Sequence, residues 1–171
     1  MNQVNYVHAD LPPQDIHALA LTLRDPHQPQ AIFNAIDALT ARVIGHRLFT
    51  IMAFDPSTFE VERLHSNMPA LYPPGGRKKK AQTSWGEQVL TRREVFRSAT
   101  PDGIREHFDD HETMAALGLG SILNIPIVYD GRCVGTMNLT HVDGWYREEH
   151  EAMGLTIGSF LVAALLEHRR R

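Results

Sequence analysis

Apolar residues recur at two different periods along the chain and divide it into helical and strand segments. Ile32, Ile36, Leu39 and Val43 recur at helical spacing, and Gly45 follows where such a helix is expected to end. Upstream, the segment "DIHALALTLR" fits a short helix. The first part of the chain is therefore predicted to be helical, with one apolar helix face that must be covered by another layer.

The next segments have the alternation of β-strands. "RLFTIMAF" and "FEVERLHSN" are joined by the turn "DPST" and predict an antiparallel hairpin. Residues 119–129 and 132–141 predict a second hairpin, because a two-residue Asp130-Gly131 turn between β-rich runs is the strongest short-range hairpin signal. "EVFRSA" predicts one short strand between the two hairpins.

Three segments connect the two hairpins. "MPALYPPGGRKKK" predicts a long loop, and a loop of this length in a compact domain is usually functional or mobile. "SWGEQVLTRR" predicts a short helix that Thr83 or Ser84 would cap. "TPDGIREHFDDHETMAALG" predicts a second helical connection that ends at Gly118. These connections are expected to cross over one face of the sheet.

The last predicted helix, which runs to about His168, is apolar nearly all round. Met153 and Ile157 belong to one apolar stripe, whereas Leu155 and Val162 fall outside it. A helix of this kind is covered on two sides, by the sheet and by either another helix or a second subunit. We therefore expect a homodimer formed through the terminal helices.

The order of elements predicts an α+β fold built on a central antiparallel sheet. Terminal helices would cover one face, and crossover helices and loops would cover the other. Residues 1–27 are predicted to be a lead-in with a possible short helix, and residues 28–171 a single domain.

Composition limits the classes of function. The 171 residues are 43% hydrophobic and carry a formal net charge of −3, which argues against disorder and gives no general attraction to nucleic acid or membranes. A single cysteine excludes an intrachain disulfide. The N-terminus lacks a signal-peptide pattern, and the longest uncharged helical stretch, Ala152 to Leu166, is shorter than the roughly 20 residues of a membrane span. The sequence predicts a cytoplasmic protein.

The second hairpin carries a more specific pattern. A small residue, an apolar run and a proline precede an Asp-Gly turn, and Gly-x-x-Asn-Leu follows it; the matching residues are Ser121, Ile122, Leu123, Pro126, Asp130, Gly131, Gly135, Asn138 and Leu139. With the first hairpin, "FTIMAFDPSTFEVERLHS", this pattern resembles the GAF domain, a sensory relative of the PAS domain. The resemblance covers about Gln28 to His168 and implies a GAF/PAS-like fold.

The resemblance implies a small-molecule-binding sensory domain without catalytic activity. It would signal through a helix-mediated dimer to an effector, which we expect on a separate protein. The chain lacks the cyclic-nucleotide signature "NKxxF…DE" and a cysteine pattern for bilin attachment. Fold analogy does not identify the ligand or any cofactor, so both remain unknown.

Two asparagines, Asn124 and Asn138, stand in otherwise apolar strands. A buried amide needs hydrogen-bond partners, so these side chains either bond to each other or to a loop, or face a cavity that receives a polar ligand. A plain Asp-Gly turn opposes Asn124 to Met137 and places the two amides on opposite faces. A β-bulge at Pro126 would bring them to one face.

Other residues are candidates for the same pocket. Tyr72 and Trp85 would form aromatic walls, His65 would lie near the rim, and Ser121 and Thr140 belong to the second hairpin. The basic run Arg77, Lys78, Lys79 and Lys80 is either a solvated loop or an electrostatic attractor for an anionic ligand.

Two further classes of function stay open. An enzyme on this scaffold would use His65, His141 or Cys133, or a metal bound by His107 and His111, which stand four residues apart and lack the remaining zinc ligands. Alternatively, the domain is an interaction or dimerisation module whose pocket is filled by its own side chains. A nucleophile–base pair inside the pocket would favour the enzyme, and a closed, dry core would favour the module.

Overall fold

The structure, a computed structural model, describes residues 10–170. Residues 1–9 of the predicted lead-in, on which the targeting prediction rests, and Arg171 lie outside the described residues. The helices are α1 (Pro13–Thr22), α2 (Gln30–Val43), α3 (Pro101–His107), α4 (His111–Ala116), α5 (Glu149–Gly158) and α6 (Val162–His168). The strands are β1 (Leu48–Asp55), β2 (Glu60–Ser66), β3 (Arg77–Lys79), β4 (Phe96–Ser98), β5 (Ser121–Tyr129) and β6 (Arg132–His141). A π-helical segment spans Gly86–Thr91, and a 3₁₀ turn, Ser159–Leu161, joins α5 to α6.

The strands form one antiparallel sheet in the order β3-β2-β1-β6-β5-β4. Both predicted hairpins, β1-β2 and β5-β6, are present. At the turn between β5 and β6, Asp130 and Gly131 have φ angles of 50° and 67°, as a type I′ turn requires.

The two faces of the sheet are covered by different layers, as predicted. Helices α1, α2, α5 and α6 cover one face and share a core with Phe49, Ile51 and Ile125 of the strands. The connections between β2 and β5 cover the other face, where Val61 and Ile122 belong to a second core. We call these the helix layer and the crossover layer. The predicted α+β class is confirmed.

The crossover layer differs from its prediction in two places. Residues Arg77–Lys79 are not loop but a short edge strand, β3, that pairs with β2. The predicted second helical connection is split at Phe108, whose backbone is extended, so α3 and α4 are separate short helices. Thr83 provides the predicted cap before the π-helical segment, since its Oγ1 accepts a hydrogen bond of 2.9 Å from the Gly86 backbone N–H.

A β-bulge sets the register of β5 against β6. The plain pairing holds at Val128–Cys133, but Ile127 pairs with Gly135, so Val134 is an extra residue on β6. Asn124 therefore opposes Asn138. The plain register, which opposed Asn124 to Met137, is wrong. A bulge does bring both amides to one face, as the alternative predicted, but it lies at Val134 on β6 and not at Pro126, which pairs with Thr136.

A second bulge lies between β1 and β2. Ile51 pairs with His65 and Met52 pairs with Arg63, so Leu64 is an extra residue on β2. Without it, Arg63 and His65 would lie on the same face of the strand. Because of it, Arg63 faces the crossover layer and His65 faces α2.

No helix within residues 10–170 is long and apolar enough to cross a membrane.

Candidate functional site

A cavity of about 70 Å³ lies between the sheet and the crossover layer. Its apolar wall is formed by Leu48, Met52, Val61, Phe108, Met114 and Ile122. One ordered water needs roughly 10–15 Å³ of such space, so the volume accommodates several waters or one small ligand. We call this space the crossover cavity.

The floor of the crossover cavity is a chain of side-chain hydrogen bonds. The Trp85 indole N–H donates to Asn124 Oδ1 at 2.9 Å, and Asn124 Nδ2 donates to Asn138 Oδ1 at 2.9 Å. Asn138 Nδ2 donates to the hydroxyl oxygens of Thr50 and Thr136, at 3.2 and 3.1 Å. The two alternatives for the asparagines thus hold together: the amides bond to each other and also line the cavity.

Basic side chains dominate the charge around the cavity. Arg63, Lys78 and Lys80 line it together with one carboxylate, Asp110. Lys78 Nζ lies 3.6 Å from Asp110 Oδ1. Lys80 Nζ lies 5.1 Å from the centre of the Trp85 ring, and burial followed by the charge of Lys78 lowers the pKa of Lys80. The cavity therefore has more positive than negative charge.

Two polar atoms at the cavity are buried and lack a hydrogen-bond partner within residues 10–170: Arg63 Nε and Tyr72 Oη. The Arg63 guanidinium carbon lies 5.3 Å from the centre of the Tyr72 ring. Burial raises the pKa of Tyr72 to about 12, and the charge and side-chain contact of Asp110 add to the rise, so the hydroxyl keeps its proton at neutral pH. Arg63 Nε is thus an unused donor, and the Tyr72 hydroxyl has Asp110 near it without a hydrogen bond of 3.5 Å or less.

The sheet order, the two covering layers and the cavity match a known family. The family model of the GAF domain matches residues 28–165. The chain belongs to the GAF domain family. GAF domains form a sensory and regulatory fold that binds small molecules.

Several solved structures are similar to nearly the whole chain. The GAF domain of a phosphoenolpyruvate-protein phosphotransferase from Coxiella burnetii has a TM-score of 0.73 at 16% identity, over 92% of this chain and 94% of that one. The corresponding Acinetobacter domain has a TM-score of 0.70 at 12% identity, over 94% and 98%. Free methionine-R-sulfoxide reductase from Neisseria meningitidis, solved with its substrate, has a TM-score of 0.66 at 12% identity, over 98% and 99%.

At these identities the similarity establishes the fold and not the ligand. No curated protein sequence matches this GAF domain at a significant level.

The structure brings five of the predicted pocket residues together and leaves two elsewhere. Those that line the crossover cavity are Tyr72, Trp85, Asn124, Asn138 and Thr140. His65 does not lie at its rim, because the bulge at Leu64 turns the ring toward α2. Ser121 does not line the cavity, and its hydroxyl donates to the Val142 carbonyl at 2.7 Å.

The basic run is divided by the alternation of strand β3. Lys78 and Lys80 line the cavity of this GAF domain. Lys79 is exposed, and Arg77 is bound to Glu62 at 2.7 Å on the surface. Lys78 and Lys80 therefore face the cavity and Arg77 and Lys79 face solvent, and the attraction of an anionic ligand stays a prediction.

His65 belongs instead to a buried cluster in the helix layer. Its Nε2 lies 2.7 Å from Asp37 Oδ2, and His46 Nε2 lies 3.1 Å from Asp37 Oδ1. Gln30 Nε2 lies 3.4 Å from His65 Nδ1, which assigns the proton of the neutral ring to Nε2. The Asp37 carboxylate thus accepts from His65, and His46 Nε2 lies 3.1 Å from both the Asp37 backbone carbonyl and Oδ1.

The residues proposed for chemistry lie apart from one another. Cys133 is a buried core residue, and burial raises the pKa of its thiol to about 11. His141 stacks on Trp145 with ring centres 3.8 Å apart. His107 and His111 each bond to a backbone carbonyl of their own segment. Within residues 10–170, no three His, Cys, Asp or Glu side chains are placed to hold a metal ion.

Sequence reasoning missed Arg63 and Asp110. Arg63 could have been found from the sequence, because it stands two positions after Val61 and alternation therefore places both residues on the buried face of β2. Asp110 left none, since its place over the cavity depends on the break between α3 and α4.

The asparagine chain gives a stability prediction. We expect Asn138→Ala to lower the free energy of unfolding by about 2 kcal/mol, because it leaves Asn124 Nδ2 buried without its acceptor. Asn124→Ala should lower the free energy of unfolding by about as much, because the Trp85 indole N–H loses its acceptor and Asn138 Oδ1 loses its donor. The double variant should cost about 1 kcal/mol less than the sum, since the two side chains share a hydrogen bond.

Urea unfolding of the three variants would measure this coupling. Asn34→Ala is the control, because Asn34 is an exposed asparagine that accepts one side-chain hydrogen bond on the surface of α2. It should change stability by less than about 0.5 kcal/mol. Strict additivity of the two cavity substitutions would show that the floor is not a coupled chain.

Proposed function

We propose that this GAF domain is a sensory module that binds one small molecule in the crossover cavity and carries out no reaction on it. The observation that carries the proposal is the cavity itself: an apolar wall above a polar floor whose own hydrogen bonds are already made. Ligand sites in proteins combine a mostly apolar lining with a few placed polar groups in this way.

The proposal of binding without catalysis is supported by the chemistry of the lining groups. A thiol or hydroxyl nucleophile needs a base within hydrogen-bond reach. Cys133, whose thiol pKa is raised to about 11, donates to the Gly135 carbonyl. The hydroxyl of Tyr72 has Asp110 near it but forms no hydrogen bond of 3.5 Å or less within residues 10–170, and burial raises its pKa to about 12. These groups favour binding over the enzyme alternative.

Strand β5 links the cavity to the helix layer. Asn124 faces the cavity, and Ile125 and Ile127 of the same strand face α5. Gly154 and Gly158 let α5 approach closely, since a methyl group at either position would stand 2.7 Å from an isoleucine Cδ1. We propose that ligand occupancy is transmitted along this contact to α5.

We propose that the terminal helices form a homodimer that carries the signal. Leu155 on α5 is 47% exposed, and Leu21 and Leu23 near the end of α1 are 48% and 38% exposed. Exposed leucines on a helix layer are suited to a contact with a second copy. The cytoplasmic location remains a prediction from the sequence.

Native mass spectrometry of freshly purified protein tests the proposed function. We expect a small co-purifying mass in the native spectrum, lost after denaturation, on a particle with the mass of two chains. An unrelated protein purified in parallel shows whether the mass comes from the buffer. A native spectrum without such a mass, together with no thermal shift across a metabolite panel, would contradict sensing. A single-chain mass would contradict the dimer.

A further inference from the structure

We infer that the ligand of the crossover cavity is a small apolar carboxylate, whose carboxylate group is bound by Arg63 and Tyr72. This inference rests on the proposed function, because it names the chemical class of the molecule that is sensed.

The first step is that Arg63 lacks a close ion pair: burial lowers its pKa, and the charge of Asp110 acts on it only from beyond 4.0 Å. Its side chain is held over the cavity by β2, and only 9% of the residue is exposed. No carboxylate oxygen within residues 10–170 lies within 4.0 Å of the guanidinium, and its Nη1 donates to the neutral Pro73 carbonyl at 3.0 Å. A buried guanidinium is costly unless it is paired and hydrogen-bonded, so an anion from outside the chain fits this position.

The second step is the rigid mounting of Arg63. The backbone N–H of Arg63 donates to the Gly76 carbonyl at 2.9 Å, and the Gly75 N–H donates to the Arg63 carbonyl at 2.7 Å. A side chain at Gly76 would stand 2.8 Å from Arg63 Nη1. The loop before β3 therefore fixes the guanidinium with Nε left free, and a fixed donor loses little entropy when it binds a ligand.

The third step is the pair of unused donors. Arg63 Nε and Tyr72 Oη are both buried at the cavity with no partner within the described residues. Asp110, which also has Lys78 at 3.6 Å, is the carboxylate nearest in effect to the Tyr72 hydroxyl, and a pKa of about 12 keeps that hydroxyl protonated at neutral pH. A carboxylate offers two acceptor oxygens and no donor, so it matches two donors that lack acceptors.

The fourth step is the sum of charges. Arg63, Lys78 and Lys80 face a single carboxylate, Asp110, which already has Lys78 at 3.6 Å. The ammonium of Lys80 lies over the rings of Trp85 and Phe108, and the charges of Asp110 and Asp109 act on it without an ion pair within 4.0 Å in residues 10–170. The balance is net positive, which favours an anion over a neutral or cationic ligand.

The rest of the cavity favours a carboxylate with an apolar body over a bare inorganic oxyanion. Met52, Val61, Phe108 and Ile122 present apolar surface, and the amides on the floor bond among themselves. Inorganic phosphate would place unsatisfied oxygens against that wall, at a cost in desolvation. An apolar body would instead fill it and gain from burial.

Isothermal titration of the full chain with matched probe pairs tests this inference. The probes are benzoate against benzamide, phenylacetate against phenylacetamide, hexanoate against hexanamide, and inorganic phosphate alone. We expect at least one carboxylate to bind tenfold or more tightly than its own amide and than phosphate. Arg63→Gln should weaken that carboxylate at least tenfold, whereas Arg77→Gln, on the same edge but bound to Glu62 outside the cavity, should leave it unchanged.

Two further variants keep the test decisive if Arg63→Gln fails to fold. Tyr72→Phe removes only one hydroxyl and should weaken the carboxylate without weakening its amide to the same extent. Lys80→Gln should weaken it more than Lys79→Gln, because Lys80 lines the cavity and Lys79 is exposed. Circular dichroism and thermal unfolding confirm that each variant is folded.

The outcomes separate this inference from the proposed function. Three results would overturn the inference of a carboxylate ligand and leave the proposal of sensing intact. They are amides that bind as tightly as their carboxylates, phosphate that binds as tightly as any carboxylate, and a neutral molecule recovered in the native spectrum. No bound small molecule of any class would overturn both.

Discussion

Gly135→Ala is expected to lower the free energy of unfolding by about 3 kcal/mol, at the upper end of the usual cost of overpacking. A methyl group at Gly135 would stand 2.2 Å from the backbone oxygen of Met52 on β1 and 2.8 Å from Leu165 Cδ1 on α6. A backbone oxygen in the middle of the sheet has no room to move, so the β1-β6 pairing or the bulge at Val134 must shift. Urea unfolding followed by circular dichroism measures the loss.

Gly131→Ala is the matched control for a glycine in the same hairpin. No atom beyond its chain neighbours lies within 4 Å of a methyl group there, but its φ of 67° is one that side chains rarely adopt. That conformation costs on the order of 1 kcal/mol. Gly135 is therefore required for space and Gly131 for conformation. A Gly135→Ala variant no less stable than Gly131→Ala would contradict the close packing of α6 on β6.

Asp37→Asn is expected to lower stability by about 2 kcal/mol at pH 7. Burial by itself raises the pKa of Asp37, but hydrogen bonds from His46 and His65 outweigh it and lower the pKa from 3.8 to about 2. A shift of this size corresponds to about 2 kcal/mol in favour of the ionised folded state. An asparagine has one acceptor oxygen and turns its NH₂ group toward the other ring, while His46 Nε2 keeps the backbone carbonyl of residue 37, at 3.1 Å, as an acceptor.

The pH dependence of Asp37 follows from the direction of that shift. A carboxyl group with a lowered folded-state pKa contributes its stability fully above its unfolded pKa of 3.8 and loses it as the pH falls through about 2. The difference between wild type and Asp37→Asn should therefore be fully present above about pH 4 and shrink between about pH 4 and pH 2. Chemical unfolding at a series of pH values measures it.

Glu94→Gln is the control for removal of a carboxylate. Glu94 forms an exposed ion pair with Arg92 at 3.0 Å, and such pairs contribute little. It should change stability by less than about 0.5 kcal/mol at every pH. Asp37→Asn should also leave carboxylate binding unchanged, because Asp37 belongs to α2 in the helix layer, whereas Arg63 faces the crossover cavity on the other side of the sheet. A pH-independent loss in Asp37→Asn would show that the histidine contacts do not depend on its charge.

The local pattern of the sequence determined the secondary structure and its layers. Helical spacing of Ile32 and Ile36 placed α2, two-residue alternation placed the strands, and the Asp130-Gly131 turn placed the second hairpin. These signals are local, because periodicity and turn conformation depend on neighbours a few residues away. Their order predicted an α+β sheet with two covering layers, and the motifs of the two hairpins carried the resemblance to the GAF domain.

Only the tertiary structure decided which side chains face the cavity. The bulges at Leu64 and Val134 each add one residue to a strand, so they reverse the alternation beyond them. One removes His65 from the site that holds Arg63, and the other brings Asn124 opposite Asn138. A bulge is settled by packing and pairing across the sheet, which local periodicity does not record. The sequence thus determined the layers of this protein, and cross-strand register determined its site.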